Sequence, residues 1–293
     1  MIGAMAFTVR HHASVDEFLA AAGEFLEARE AEHNLLFGIS SFVRANPELL
    51  TDGPAQFATV TDGSGRVAAA TLRTPPHNQV LSWVDDLDAV DPLVEALSDQ
   101  GLPGMLGPTE PAARFADRWT ASTGQPARIE VAERTFRLTR VVPPDRPARG
   151  SWRFVEAQDR VIIARWLVAF SAEAMPEQPP IPDPEAAADR WIAQVGRVGY
   201  LWEDGGEVVS LVGAGGETPH GIRIGPVYTP PEHRGRGYAS SLTAAVSQDQ
   251  LDRGRQFVFL FTDLANPTSN KIYRAIGYEP VCDLDQYRFG ADA

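Results

Sequence analysis

Arg234-Gly235-Arg236-Gly237-Tyr238-Ala239 stands between a run of strand formers, Ile222 to Thr229, and an amphipathic run from Gly237 to Leu251. Glycines at such a junction let the backbone approach a ligand closely, and the helix that follows offers unpaired N–H groups and a positive dipole end. With two arginines beside them, these residues form a cradle for a phosphate. A P-loop would need Gly-Lys-Ser/Thr at its end, and this loop has neither the lysine nor the hydroxyl. A dinucleotide-binding fold would want glycine at position 240, where Ser240 stands. The plain alternative is a glycine-rich turn that binds nothing.

A second constellation follows the strand-like run Phe257 to Thr262. It comprises Asp263, Asn266-Pro267, Ser269, Tyr273 and Gly277-Tyr278. Asn caps helices, Pro suits their first position and Gly their end, so a helix is predicted from Pro267 to just before Gly277. Helical spacing brings Ser269, Ile272, Tyr273 and Ile276 together. On spacing alone Tyr273 reads as a buried packing tyrosine and Asn266 as a cap.

The two stretches together, Val227-x-Thr229-Pro-Pro-Glu-His-Arg-Gly-Arg-Gly-Tyr-Ala239 and Asn266-x-x-Ser269-x-x-x-Tyr273-x-x-x-Gly277-Tyr278, resemble the GNAT acetyltransferase superfamily. The clear resemblance covers about residues 150–293. It implies acetyl-CoA as co-substrate, lying where the fourth strand (Ile222–Thr229) splays from the fifth (Phe257–Thr262). Backbone groups of Val227, Tyr228 and Thr229 would meet the pantetheine arm. The stretch Arg234, Gly235, Arg236, Gly237, Tyr238 and Ala239 would hold the pyrophosphate. Asn266, Ser269 and Tyr273 would complete the cofactor contacts. The implied reaction is direct attack of a primary amine on the thioester. A fourth-strand amide would stabilise the oxyanion, and Tyr273 would act as general acid to the departing thiolate. A base is needed too. Glu173 and Glu177 lie in the segment that shapes the acceptor pocket in this family; Glu217, His220 and Asp263 are the other candidates. Each could equally be a solvated side chain, and Asp263 could cap the turn into Asn266. The proline-rich stretch from Met175 to Pro184 could be a rim of that pocket or a plain connection.

The elements that must position these residues fall into two similar halves. Gln56–Thr61 and Arg66–Arg73 flank an Asp-Gly turn, as do Gly199–Asp204 and Glu207–Ala214, so each half has a hairpin. Each also has a preceding helical stretch (Ser14–Ala31 and Asp159–Phe170), a later helix ending at glycine (Gly124 and Gly277), and an apparent closing strand (134–142 and 284–289). The stretch 141–150, with three prolines and a glycine, reads as the seam. The expected organisation is two GNAT-like α/β domains in tandem, each a mixed sheet flanked by helices. Residues 1–142 form a degenerate domain, 143–150 a linker and 151–293 the catalytic domain. The first half lacks the cradle: Asp85, Asp86, Asp88 and Asp91 occupy its place and would repel a pyrophosphate. Trp119 sits where the Tyr-bearing helix would be and cannot donate a proton as Tyr does.

Length and charge bound the partners. At 293 residues two domains are expected, and 44% hydrophobic content excludes a largely disordered chain. Residues 1–150 carry 13 basic and 20 acidic side chains and residues 151–293 carry 13 and 19, so neither half advertises a basic face for nucleic acid. Cys282 is the only cysteine, which excludes intrachain disulfides and a multi-thiolate metal site. No membrane-spanning run or signal peptide is evident. The expectation is a cytoplasmic N-acetyltransferase without a metal, acting on a small-molecule amine as a monomer or homodimer. A mycothiol-synthase-like enzyme, a protein acetyltransferase and a non-catalytic acyl-CoA-binding or sensing module are the alternatives.

Overall fold

The computed structural model describes residues 7–176 and 180–290 and divides into two compact units. The first unit comprises Met1–Thr135 with two later pieces, Phe261–Asn266 and Pro280–Ala293. Its elements run β1 (Thr8–His12), α1 (Val15–Glu27), α2 (Asn34–Ala45), β2 (Gln56–Thr61), β3 (Val67–Arg73), β4 (Gln79–Leu81), α3 (Asp91–Leu97), β5 (Gly104–Pro108), α4 (Thr109–Thr123) and the start of β6 (Ala127–Leu138). Ser14 caps α1, its side chain accepting from the Glu17 amide at 3.2 Å. The turn between β2 and β3 is built by Asp62, whose carboxylate accepts from Ser64 and Arg66. Strands β1 to β4 are antiparallel neighbours, and β4 then pairs β5 in parallel. Gly124 ends α4 with φ +73°, a conformation that favours glycine.

The second unit, Phe136–Leu260 with Pro267–Glu279, repeats this order. It holds β7 (Ser151–Phe154), α5 (Arg160–Ala174), α6 (Pro184–Ile192), β8 (Arg197–Asp204), β9 (Glu207–Gly215), β10 (Gly221–Tyr228), α7 (Tyr238–Asp252), the start of β11 (Phe257–Asp263), α8 (Pro267–Ala275) and the start of β12 (Glu279–Phe289). Strands β7 to β10 are antiparallel, and β10 pairs β11 in parallel. Alternation along β9 divides the core between two faces. Val212 and Ala214 join a cluster with Leu242 and Val246 of α7, Tyr273 of α8 and Ile276 just past it. Leu211 joins Trp166 of α5 and Trp191 of α6 on the other.

The closing strands do not stay with their own halves. The last strand, β12, pairs antiparallel with β5, Leu284 opposite Pro108 through Arg288 opposite Gly104. Its Phe289 stacks on Trp119 at 5.1 Å in the first unit's core. Arg134 of β6 holds Asp283 through two bonds of 2.6 and 2.8 Å, and Glu130 accepts from Gln286 and Arg288 at 2.6 Å each. Conversely Phe136 and Leu138, at the end of β6, lie in the core of the second unit. The stretch 143–150 is irregular, as its prolines require, and is tied to the second unit. There the Ala148 amide donates to Ser241 Oγ at 2.9 Å and the Trp202 indole donates to the Arg149 carbonyl at 2.7 Å.

Candidate active site

Strand β10 is paired with β11 through Gly221, Ile222 and Arg223, opposite Phe257, Val258 and Phe259. The register with β9 then shifts between Ile224 and Val227, around Gly225 at φ +148° and Pro226. This is a β-bulge, and bulges bend a strand away from its neighbour. Beyond it Val227 and Tyr228 stay paired to Val212 and Leu211 of β9. The opposite edge of β10 is the one an extended ligand arm could join by main-chain hydrogen bonds. Ser210 braces the strand end, its hydroxyl donating to the Tyr228 carbonyl at 3.0 Å with Thr229 Oγ1 at 2.8 Å. No motif reading singled out Ser210, and its only sequence signal is a small polar residue inside an apolar strand.

The loop after β10 enters α7 through Gly235 and Gly237, both in the left-handed region at φ +76° and +81°. Gly237 is the N-cap and supplies no side chain to the helix, so first-turn amides keep no capping partner. A Cβ on Gly235 would meet nothing within 4 Å. The arrangement suits an anion received by backbone N–H groups, so the residues present fit the pyrophosphate of acyl-CoA.

The side chains of this loop are committed elsewhere. Arg234 donates through Nε to the Thr229 carbonyl at 2.8 Å and through Nη2 to Glu173 Oε2 at 2.6 Å, and its guanidinium lies 5.9 Å from the Tyr228 ring centre. Tyr238 is buried and its hydroxyl donates to Asp204 at 2.6 Å, a bond that raises the phenol's pKa. Charge from Arg236, which is exposed, is what the loop itself presents. Glu173 sits at the end of α5 against β10's far end, with Tyr228 donating to its Oε1 at 3.4 Å.

Helix α8 carries Ser269 and Tyr273 one turn apart. Tyr273 is buried, 6.5 Å from the Phe136 ring and 6.0 Å edge-on to Tyr278. Burial pushes its phenol up to about 12, against a hydrogen bond with Ser269 that acts the other way. It is therefore protonated throughout the physiological range, as a proton donor must be. Asp263 builds the turn before α8, its carboxylate accepting the Ala265 amide at 2.7 Å and its carbonyl the Asn266 amide at 3.0 Å. A cleft of about 610 Å³ opens beside α8, lined by Thr268, Lys271, Ile272, Ser240 of α7, and Pro144 and Asp145. Tyr273 and Ser269 are not among its lining residues. The linker's part in this cleft was not legible in sequence, where 143–150 carries only the signature of a connection.

The remaining base candidates separate by position. Glu217 is ion-paired with Arg255, and the His220 carbonyl accepts from Gln256 at 2.8 Å. Both precede Gly221, the end of β10 opposite the cradle, which an eight-residue strand places roughly 23 Å from Tyr228. Glu177 and part of the proline-rich stretch lie outside the described residues. Among the described residues no group of three or more His, Cys, Asp or Glu could hold a metal, and no helix is long and apolar enough to cross a membrane.

In the first unit the stretch after β4 is tied down by its own side chains. The Trp83 amide, just past β4, donates to His33 Nε2 at 3.1 Å, while His33 Nδ1 donates to the Leu26 carbonyl at 2.9 Å. Asp85 accepts from Arg29 at 2.9 Å, Asp86 caps the turn at 87–89, and Asp91 takes Arg114 at 2.8 Å. Burial lowers His33 from 6.5 to about 4. The unfolded chain therefore takes up this proton first, so the stability is complete above pH 6.5 and is lost as pH falls towards 4. Between pH 7 and 4.5 the loss due to His33 is about 2.5 kcal/mol. Urea denaturation at the two pH values should show that extra loss in the wild type and not in His33→Gln; equal losses would contradict the assignment.

Known proteins match this architecture. Residues 204–288 match the family model described as FR47-like protein. No curated protein matches the chain in sequence. A solved Drosophila protein superposes with a TM-score of 0.70 at 16% identity, over 98% of this chain and 100% of that one. A GCN5-related N-acetyltransferase from Sphaerobacter thermophilus gives 0.58 at 20% identity, over 96% and 95%. A tandem GNAT protein from the clavulanic acid biosynthesis pathway gives 0.58 at 15%, over 97% and 98%. The chain has the fold of the GNAT acetyltransferases in its tandem form. Within it, the FR47-like part falls on the stretch that contains the cradle and Tyr273.

Proposed function

We propose that the protein is a cytoplasmic, acetyl-CoA-dependent N-acetyltransferase that acetylates the primary amine of a small molecule, as a monomer or homodimer, with one working site in the second unit. The observation that carries this reading is the uncapped start of α7 behind Gly235 and Gly237, beside a strand bulged at Gly225. Acetyl-CoA, once bound, supplies an acetyl group activated as a thioester. Backbone groups of Val227 and Thr229 hold its arm, and amides from Gly235 to Ala239 hold its pyrophosphate. Asn266 and Ser269 complete those contacts. Tyr273, neutral at working pH, gives its proton to the leaving sulfur. Glu173 receives the amine's proton at Oε1, the oxygen that accepts only the 3.4 Å bond from Tyr228.

The hydrogen bond from the Trp83 amide to His33 and the carboxylates at 85–91 support a first unit that binds no acyl-CoA. Release of free CoA thiol from acetyl-CoA, measured with amino sugars, polyamines and amino-acid derivatives, tests the proposal. An amine-dependent rate above background is expected. Acetyl-CoA binding with no acceleration by any amine would favour a binding or sensing module instead.

A further inference from the structure

Arg197, the first residue of β8, and Arg223 of β10 are both paired to Gly215 of β9, one from each side. They therefore project from the same face of the sheet, the face covered by α5 and α6. Arg197 runs along this face rather than out of it. Its Cδ comes within 2.6 Å of where a Cβ on Gly213 would stand, and the Gly225 carbonyl lies 2.9 Å from the same point. Its guanidinium lies over the Trp191 ring, 5.3 Å from the centre. Gly213 and Gly215 are thus glycines because any side chain would collide with Arg197 or with the backbone beside it.

The charge so accommodated has no counter-ion among the described residues. Arg197 Nε is buried with no hydrogen-bond partner. Burial, together with the like charge of Arg223, lowers its pKa to about 10, which leaves it charged at neutral pH. A guanidinium whose buried Nε finds no acceptor is costly for the free protein, and a bound anion would remove that cost. Its path leads towards the Gly225 carbonyl at the β10 bulge, three residues before Tyr228, which meets the proposed base Glu173.

We infer that Arg197 is an acceptor-specificity residue: the amine acetylated by this protein also carries an anionic group, a carboxylate or a phosphate, which the Arg197 guanidinium receives. The inference rests on the acetyltransferase reading. A guanidinium presents parallel donors that match either group, so the discrimination against neutral analogues is at least about tenfold.

The test compares acceptors in matched pairs: β-alanine with β-alaninamide, and O-phosphoethanolamine with ethanolamine. CoA release is read for the wild type and Arg197→Met, with acetyl-CoA binding titrated in the same preparations. In the wild type the anionic member of one pair should win in kcat/KM by about tenfold or more through a lower KM, and Arg197→Met should abolish that preference. Which pair responds separates carboxylate from phosphate. Thermal melting without acceptor gives an independent reading. Arg197→Met should melt at or above the wild-type temperature, and acetate or inorganic phosphate should stabilise the wild type more than the variant. A variant that melts several degrees lower with no such anion effect would make Arg197 a structural residue and overturn the inference, as would equal use of both members of each pair. Failure of acetyl-CoA to bind at all would instead overturn the acetyltransferase reading.

Discussion

Gly237→Val is expected to weaken acetyl-CoA binding about a hundredfold or more. Gly237 has φ +81°, where a β-branched residue is strained by roughly 1–2 kcal/mol. The protein itself leaves room for the new Cβ, since its nearest neighbours would be the Arg146 carbonyl at 3.6 Å and Ala148 Cβ at 4.0 Å. The loss therefore falls on the ligand: the added side chain stands at the uncapped helix start and displaces the pyrophosphate from its amides. Hydrogen bonds to a charged group are worth about 1.5–3 kcal/mol each, and losing two accounts for a hundredfold change. Calorimetric titration of the variant, with its melting curve as a check on folding, measures this. Unchanged affinity in a folded variant would show that the glycines form only a turn.

Tyr273→Phe should lower kcat by about a hundredfold or more while leaving acetyl-CoA affinity nearly intact, because general acid catalysis typically contributes about 10²–10⁴-fold. Ring contacts with Phe136 and Tyr278 survive the change, and the lost bond to Ser269 costs about 1 kcal/mol of stability. The two roles of this tyrosine thus have different signatures. A packing tyrosine gives a lower melting temperature with unchanged turnover. A proton donor gives lost turnover, and because its phenol lies near 12, wild-type activity should show no alkaline loss from Tyr273 below about pH 11.

Much of the fold was legible because its signals are local. Asp62-Gly63 and Gly205-Gly206 mark hairpins, the first held by the Asp62 carboxylate and the second by two glycines at positive φ, and Gly124 and Gly277 end helices at positive φ. The exchange of closing strands was not legible. Nothing in the pattern of Leu284 to Phe289 selects β5 as its neighbour; that choice is made by partners far away in sequence, such as Arg134 for Asp283 and Trp119 for Phe289. The same holds in the site. The motif places Arg234 and Tyr238 in the cradle, yet Glu173 and Asp204 hold their side chains, and only the fold brings those carboxylates near. Arg197 showed no motif at all, since its significance lies in one buried nitrogen, Nε, that finds no acceptor in the fold.

Calorimetric titration of the wild-type protein with acetyl-CoA probes the whole account in one experiment. Saturable binding at one site per chain is the expected result, with the cradle of the second unit working and the first unit closed by His33 and its carboxylates. Two sites per chain would contradict the reading of the first unit, and no binding would contradict the cofactor assignment itself.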